Sequence, residues 1–292
     1  MREVVVISGK GGAGKTSVTG ALANLADNAI LCDLDVDAPD LHLLLNPTVN
    51  HTEEFRSGNE AKIDPEKCTG CGRCEELCRF EAVKQEGDVF HIDPMHCEGC
   101  KVCVALCPAE AIEFPVRHCG HWYESDTRFG PMIHAQLFPG EENSGRLVTL
   151  LKQRAREIAD TEGYDIVLSD GAPGIGCPVI SSLAGTDLAL IVTEPTPSGL
   201  HDLQRVAELC DRFRTKVTVF INKFDLNPDQ TEAIEAYCRE RGYTVVCHFP
   251  HDNAVTEAMV EGRVVNEYGD NAASRLLEAA WYNMLNLLPS KE

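Results

Sequence analysis

Four cysteines fall within eleven residues at 68–78, CTGCGRCEELC, and four more within eleven at 97–107, CEGCKVCVALC. Both groups have the spacing C-x₂-C-x₂-C-x₃-C. Soft thiolates at such short intervals can converge on one metal centre, and this run is one that holds cubane iron–sulfur clusters. In two-cluster runs of this kind the fourth cysteine ligates the other cluster. That rule assigns Cys68, Cys71, Cys74 and Cys107 to one [4Fe–4S] cluster. Cys97, Cys100, Cys103 and Cys78 hold the second. Zinc is the alternative, but separate four-ligand zinc sites leave a duplicated triplet-plus-one pattern unexplained.

A second stretch carries different chemistry. Gly9-Lys10-Gly11-Gly12-Ala13-Gly14-Lys15-Thr16 fits G-x-x-x-x-G-K-[ST] and follows the apolar run VVVIS. Such a loop turns backbone N–H groups onto phosphate oxygens, and the helix that follows adds positive potential at its N-terminus. Lys15 is expected on the β and γ phosphates, and the Thr16 hydroxyl on Mg²⁺, with Ser17 beside them in the nucleotide site.

These residues need elements to position them. Apolar runs at Arg2–Ser8, Ala29–Asp33, Tyr164–Ser169, Asp187–Thr193, Lys216–Ile221 and Tyr243–Phe249 read as buried strands, and Thr16–Ala26 as a helix. Strands alternating with helices imply an α/β fold, a doubly wound and mostly parallel sheet covered on both faces. Ala272–Leu288 is amphipathic with Arg275 as its one base, which suits a closing core helix better than a membrane-targeting one.

Between the second and third of these strands the character changes. Residues 68–83 and 97–112 repeat at a constant offset of 29, with all four cysteines in register. A half of that size is too small to bury a core, so two halves closing around shared clusters form a small α+β domain at 60–115. It interrupts a nucleotide-binding domain made of 1–59 and 116–292. His51–Glu60 is polar and reads as a linker into it. The insert is expected to leave just after Asp35, at the carboxyl end of the second strand, where doubly wound sheets bind ligands.

The bulk numbers exclude several classes. With 46 acidic against 26 basic residues the formal charge is −20, which argues against nucleic acid and anionic membrane as partners. No run reaches the ~18 apolar residues of a membrane span. The first residues lack the pattern of a signal peptide, and eight of the 14 cysteines have metal-ligand spacing rather than a disulfide framework. A cytoplasmic protein is expected. Cys32, Cys210, Cys238 and Cys247 read as small core residues, and Cys119, flanked by His118 and His121, has no second ligand group near it in sequence.

Lys10 is not part of the general phosphate motif. Its place in GKGGAGKT resembles the deviant Walker A loop of the MinD/ParA/Mrp superfamily, which includes the nitrogenase iron protein, and the later motifs resemble that superfamily too. The whole pattern is similar to P-loop ATPases of this group with an inserted two-cluster, bacterial ferredoxin-like domain. The resemblance implies that Lys10 reaches across an ATP-dependent dimer, a homodimer or a heterodimer with a paralogue. It implies that Asp35, in Asp33-Leu34-Asp35, positions the attacking water, and that Asp170, in DGAPG, faces Mg²⁺. Asn222, Lys223, Pro250 and Asp252 fall where the adenine pocket lies. Cys177 stands at the spacing of a subunit-bridging cluster cysteine, but its counterpart position is Asn143, so a bridging cluster is not expected. The implied activity is slow ATP hydrolysis whose nucleotide state controls electron transfer, or metallocofactor handling, by a redox partner. The alternatives are an Fe–S carrier of the Mrp type, which usually has a C-terminal C-x-x-C absent here after Cys247, and a MinD/ParA-like positioning ATPase.

Overall fold

The computed structural model describes residues 1–141, 144–269 and 271–289. The apolar N-terminal run forms β1 (Arg2–Ser8), buried from Glu3 onward. Val4 and Val6 enter one hydrophobic core, Val5 and Ile7 another. This is why the strand reads as an unbroken apolar run rather than an alternating one. Then come α1 (Lys15–Leu25), β2 (Ala29–Asp33), α2 (Leu41–Leu45) and β3 (Thr48–Asn59). The cysteine-rich stretch contributes β4 (Lys62–Ile63), α3 (Arg73–Leu77), β5 (Val83–Glu86), β6 (Val89–Ile92), α4 (Val102–Ala105) and β7 (Ile112–Glu113). The chain continues through β8 (Val116–Thr127), β9 (Gly130–Leu137), α5 (Ser144–Glu162), β10 (Ile166–Pro173), α6 (Cys177–Leu183) and β11 (Leu188–Thr193). It ends with α7 (Pro197–Phe213), β12 (Lys216–Asn222), α8 (Pro228–Arg241), β13 (Thr244–Phe249), α9 (Asn253–Val260) and α10 (Ala272–Leu285).

Nine strands form one sheet in the order β13-β12-β11-β1-β10-β2-β9-β8-β3. The pairs from β13 through to β9 are parallel. From β1 the chain moves to β2 on one side, and β11, β12 and β13 build the other. The order therefore reverses beside β1, and the glycine loop leaves β1 at that switch point, where such sheets bind ligands. One core lies under α1, α2 and α10, the other under α6, α7 and α8. α10 buries Ala273, Leu277, Ala280, Trp281 and Met284, as a closing core helix does. Cys32, Cys210, Cys238 and Cys247 are all buried.

Two expectations are corrected. The stretch 51–60 is not a linker. Nearly all of it belongs to the twelve-residue strand β3, at the edge of the sheet, whose first seven residues are exposed. Its polar side chains hide the strand pattern, and such residues at an edge guard against unwanted pairing. Nor does the chain enter the cysteine-rich region just after Asp35, since α2 and the first half of β3 intervene.

The chain divides into two compact units: Met1–Glu53 with His121–Gln136 and Ser144–Glu292, and Glu54–Gly120 with Leu137–Asn143. Asn143 itself lies outside the described residues. Within the second unit the 29-residue repeat is a structural one. Each half is a strand, a short helix and a strand, and the halves pair crosswise, β4 with β7 and β5 with β6, both antiparallel. The repeat reaches beyond the cysteines. Asp64 N–H donates to the Ala111 carbonyl at 2.8 Å, and Asp93 N–H to the Ala82 carbonyl at 2.7 Å. Gly70 and Gly99 both have positive φ, and a Cβ would collide with the carbonyl oxygen of Asp88 and of Asn59 respectively. Only glycine fits either place.

Candidate functional site

α1 begins at Lys15, directly after Gly14, whose φ of 92° suits glycine and whose missing Cβ leaves room for the Asn222 amide. The helix start therefore points Lys15 inward, where it is buried. Its Nζ donates to Asp35 Oδ2 at 3.1 Å and to Asp170 Oδ1 at 3.3 Å. One turn on, Thr19 Oγ1 donates to the same Asp170 oxygen at 2.9 Å, and Thr16 Oγ1 donates to Asp170 Oδ2 at 2.8 Å. Three strands thus bring their residues together here: Lys15 and Thr16 follow β1, Asp35 follows β2, and Asp170 lies within β10.

The electrostatics follow from burial. Burial alone would lower the Lys15 ammonium, but the Asp170 and Asp35 carboxylates outweigh it and hold it above the ordinary lysine value. Burial pushes the Asp35 carboxyl up, with Lys15 opposing. Asp33 is pushed up further, by complete burial and then by the neighbouring Asp170. Asp33 also organises the turn after β2. Its Oδ1 accepts from the Asp35 N–H at 3.1 Å and its Oδ2 from the Leu41 N–H at 3.3 Å.

A cavity of about 740 Å³ opens beside this cluster. Gly11, Gly12, Gly14, Lys15, Thr16 and Ser17 line one part of it, with Asp35, and Asn222, Lys223, Pro250 and Asp252 line another. Asn222 Nδ2 donates to the Ala13 carbonyl at 2.9 Å, tying β12 to the loop. Asp252 caps α9 by accepting from the Ala254 N–H at 2.9 Å, and Asp225 accepts from the His251 N–H at 2.7 Å. Gly9, Lys10, Ala13 and Asp170 are not in the cavity wall. Lys10 turns the other way, with Nζ 3.3 Å from Ser198 Oγ and 3.8 Å from Glu194 Oε2. Lys223 shares that glutamate at 2.6 Å.

Such a loop at the switch point, with a buried lysine, threonine and aspartate around it, is a nucleotide-binding arrangement. A family model described as the CobQ/CobB/MinD/ParA nucleotide binding domain matches residues 4–276. The chain belongs to this family. It is 37% identical over 230 residues to the Uncharacterized protein MJ0578 of Methanocaldococcus jannaschii, covering 77% of this chain and 79% of that one. It is also 26% identical over 261 residues to MJ0579 of the same organism, covering 83% and 91%. Among solved structures, the cell division ATPase MinD of Pyrococcus furiosus aligns over 98% of this chain and 99% of its own, with TM-score 0.59 and 18% identity. MinD of Pyrococcus horikoshii complexed with Mg-ADP aligns over 97% and 95%, with TM-score 0.59 and 15% identity. At these identities the solved structures show a shared α/β P-loop NTPase fold.

The family's description speaks of nucleotide binding and not of the cysteines, which lie inside the matched residues 4–276. Among the described residues no three His, Cys, Asp or Glu side chains are gathered as a single metal ion requires. Each cysteine quartet instead lines a small cavity. One is lined by Cys68, Cys71, Cys74 and Cys107, the other by Cys78, Cys97, Cys100 and Cys103. Burial pushes the Cys103 thiol up to about 11. Cys119 is buried and its Sγ donates to the Ser57 carbonyl at 3.1 Å, a structural position. Cys177 is exposed at the start of α6.

Sequence reasoning missed Thr19, Asp33, Glu194 and Ser198. Thr19 had a signal, since it lies four residues past Lys15 on the same helix face. Asp33 stands in the same Asp33-Leu34-Asp35 motif, from which the resemblance singles out Asp35 alone. The contacts of Glu194 and Ser198 with Lys10 join residues more than 180 apart and leave no local mark. No helix among the described residues is long and apolar enough to cross a membrane.

Proposed function

We propose that this chain is an ATPase whose nucleotide state controls electron transfer, or metallocofactor handling, by a partner protein through two [4Fe–4S] clusters. The observation that carries the reading is the pair of small cavities, each walled by the four cysteines that crossed ligation assigns to one cluster. Four thiols with no carboxylate or imidazole among the ligands are a soft donor set suited to iron–sulfur ligation. A bound cluster supplies one-electron chemistry. The chain supplies the thiolates and, by exchanging the fourth ligand, ties its two repeats together.

At the nucleotide site the hard oxygens of Thr16 and Asp170 are the donors Mg²⁺ prefers. When ATP binds, Lys15 exchanges its two carboxylates for β and γ phosphate oxygens. Asp35, released from Lys15 and held by its backbone contact to Asp33, is then placed to orient the attacking water. Asn222, Pro250 and Asp252 border the base. Lys10 can serve a second copy, or a paralogue, by leaving Ser198 and Glu194. β3, β8 and β9 carry the chain between the two units and are the covalent route for nucleotide-driven movement.

A second reading, a MinD/ParA-like positioning ATPase with structural or sensing clusters, is favoured by the family match alone. The test is anaerobic purification with any endogenous partner, followed by iron analysis and spectroscopy with and without ATP. About eight irons per chain are expected, with ATP-dependent reduction of the co-purified protein. A preparation saturating near four irons removes one cluster. A full iron complement indifferent to ATP moves the assignment to the positioning reading.

A further inference from the structure

The 29-residue offset pairs all but Arg73 and Pro108 of the first cavity's wall with wall residues of the second, so the two can be compared residue by residue. Much is matched. Ile63, Ala111 and Ile112 line the first where Ile92, Ala82 and Val83 line the second. In each quartet one cysteine, Cys71 or Cys100, is exposed and the other three are half-buried. Charge is not matched. The first cavity has Arg73 in its wall and no acidic side chain. In the second the counterpart of Arg73 is Val102, which is not in the wall, while Glu98 replaces Thr69 and Lys101 replaces Gly72. The Lys101 ammonium lies over the Phe114 ring, 5.6 Å from its centroid. The aromatic walls differ too. Phe90, 5% exposed, lines the first cavity, and Phe80, 43% exposed, lines the second.

We infer that the two clusters are redox-unequal, and that the one held by Cys68, Cys71, Cys74 and Cys107 takes the first electron. This rests on the two-cluster reading above. A cubane with four thiolates is anionic and gains one more negative charge on reduction. A nearby cation favours that step and a nearby anion opposes it, so Arg73 acts uncompensated in the first wall while Glu98 offsets Lys101 in the second, and matched thiol exposure leaves the solvent contribution similar at the two sites. Arg73, Glu98 and Lys101 are exposed like Glu75, Glu76 and Arg79. What sets the first three apart is that they line a cavity while the other three line neither, so water and salt screen the latter more fully. In the singly reduced protein, an electron placed on the second cluster passes to the first. One cluster is oxidised by one electron as the other is reduced by one, with no bond or proton moved.

The experiment is an anaerobic potentiometric titration of the full-length, iron-loaded protein with dithionite, followed by electron paramagnetic resonance. Iron is counted first in every sample. Two separate one-electron waves are expected. Arg73→Gln should lower the higher-potential wave and leave the other in place. Glu98→Gln should raise the lower wave, so either variant narrows the gap, and Arg73→Lys should keep the wild-type separation. A single wave at about eight irons per chain, or an Arg73→Gln effect on the lower wave, overturns the inference while the two-cluster reading stands. Iron near four or below in the wild type overturns both. If one variant loses iron, the other two decide the outcome by the same criteria.

Discussion

The phosphate loop and the cysteine cavities both place ligand-binding residues on turns beside short helices, yet different forces hold them. The loop leaves a strand whose Val4–Ile7 are fully buried between two cores, and its lysine is anchored by two carboxylates. That site is organised by the fold before any ligand arrives. The cysteine turns lie next to α3 and α4, neither of which buries a residue, and to strands β4 and β7 of two residues each. On the proposed two-cluster reading, a unit with so little apolar area would draw its remaining stability from metal ligation, as small metal-folded domains do. On that reading one chain holds a self-supporting binding site and a ligand-dependent one.

The largest expected effect separates them directly. Metal ligation in small domains is coupled to folding free energies on the order of 10 kcal/mol. Anaerobic chelation should therefore open residues 54–120 to limited proteolysis while calorimetric ATP binding persists. A chelated protein equally protease-resistant in that stretch breaks the comparison.

Lys15→Ala inverts the experiment. It leaves Asp35 and Asp170 without their cation, at a cost of about 3–5 kcal/mol for a broken buried pair. It should lower the unfolding midpoint of the nucleotide unit and abolish ATP binding, with iron content unchanged. Loss of iron in this variant would show that the two units do not stand independently.

Acid offers a probe of the nucleotide unit through His134 on β9. Burial, and then His42, lowers it to about 4, and its Nε2 lies 2.8 Å from Ser125 Oγ. A histidine with a folded value below its unfolded 6.5 contributes stability that is complete above pH 6.5 and lost as pH falls towards 4. The loss across that interval is roughly 3 kcal/mol. Denaturant unfolding of wild type and His134→Gln at pH 7 and pH 4.5 should show a steeper decline in wild type. The smallest effect is local. Asp252→Ala removes the cap of α9 and should cost about 1 kcal/mol, seen as faster amide exchange in Asn253–Val260 and weaker ATP binding.

The parts of the fold legible in the sequence are those where one physical cause dominates. β1, β2, β10, β11, β12 and β13 are short apolar runs stopped by Gly, Asp, Asn or Pro, because a strand covered on both faces must be apolar throughout. β3, β8 and β9 escape that reading. Thr48–Glu54 is exposed along its length, and β8 buries residues without a period of two. The reach of the repeat was hidden for another reason. Asn59 and Asp88 are different residues in equivalent places, and what they share is a backbone carbonyl against a glycine. Asp35 and Asp170 are picked out by the resemblance of Asp33-Leu34-Asp35 and DGAPG to the superfamily's motifs. That Asp170 receives Lys15, Thr16 and Thr19 together depends on strands far apart in sequence.

The central claim is that nucleotide reaches the clusters, and one measurement tests it most directly. Both cluster potentials are titrated with and without ATP in wild type and in Asp35→Asn, whose amide cannot act as the carboxylate that polarises water and which should hold the ATP-bound state. The account predicts that ATP shifts at least one potential or its resonance line shape in wild type, and that Asp35→Asn keeps the shift for as long as ATP is bound. A change of about 1.4 kcal/mol, within reach of altered hydrogen bonding or solvent access at cluster sulfurs, moves a one-electron potential by about 60 mV. Identical potentials and spectra in all four conditions would contradict the account and leave the clusters uncoupled from the ATPase.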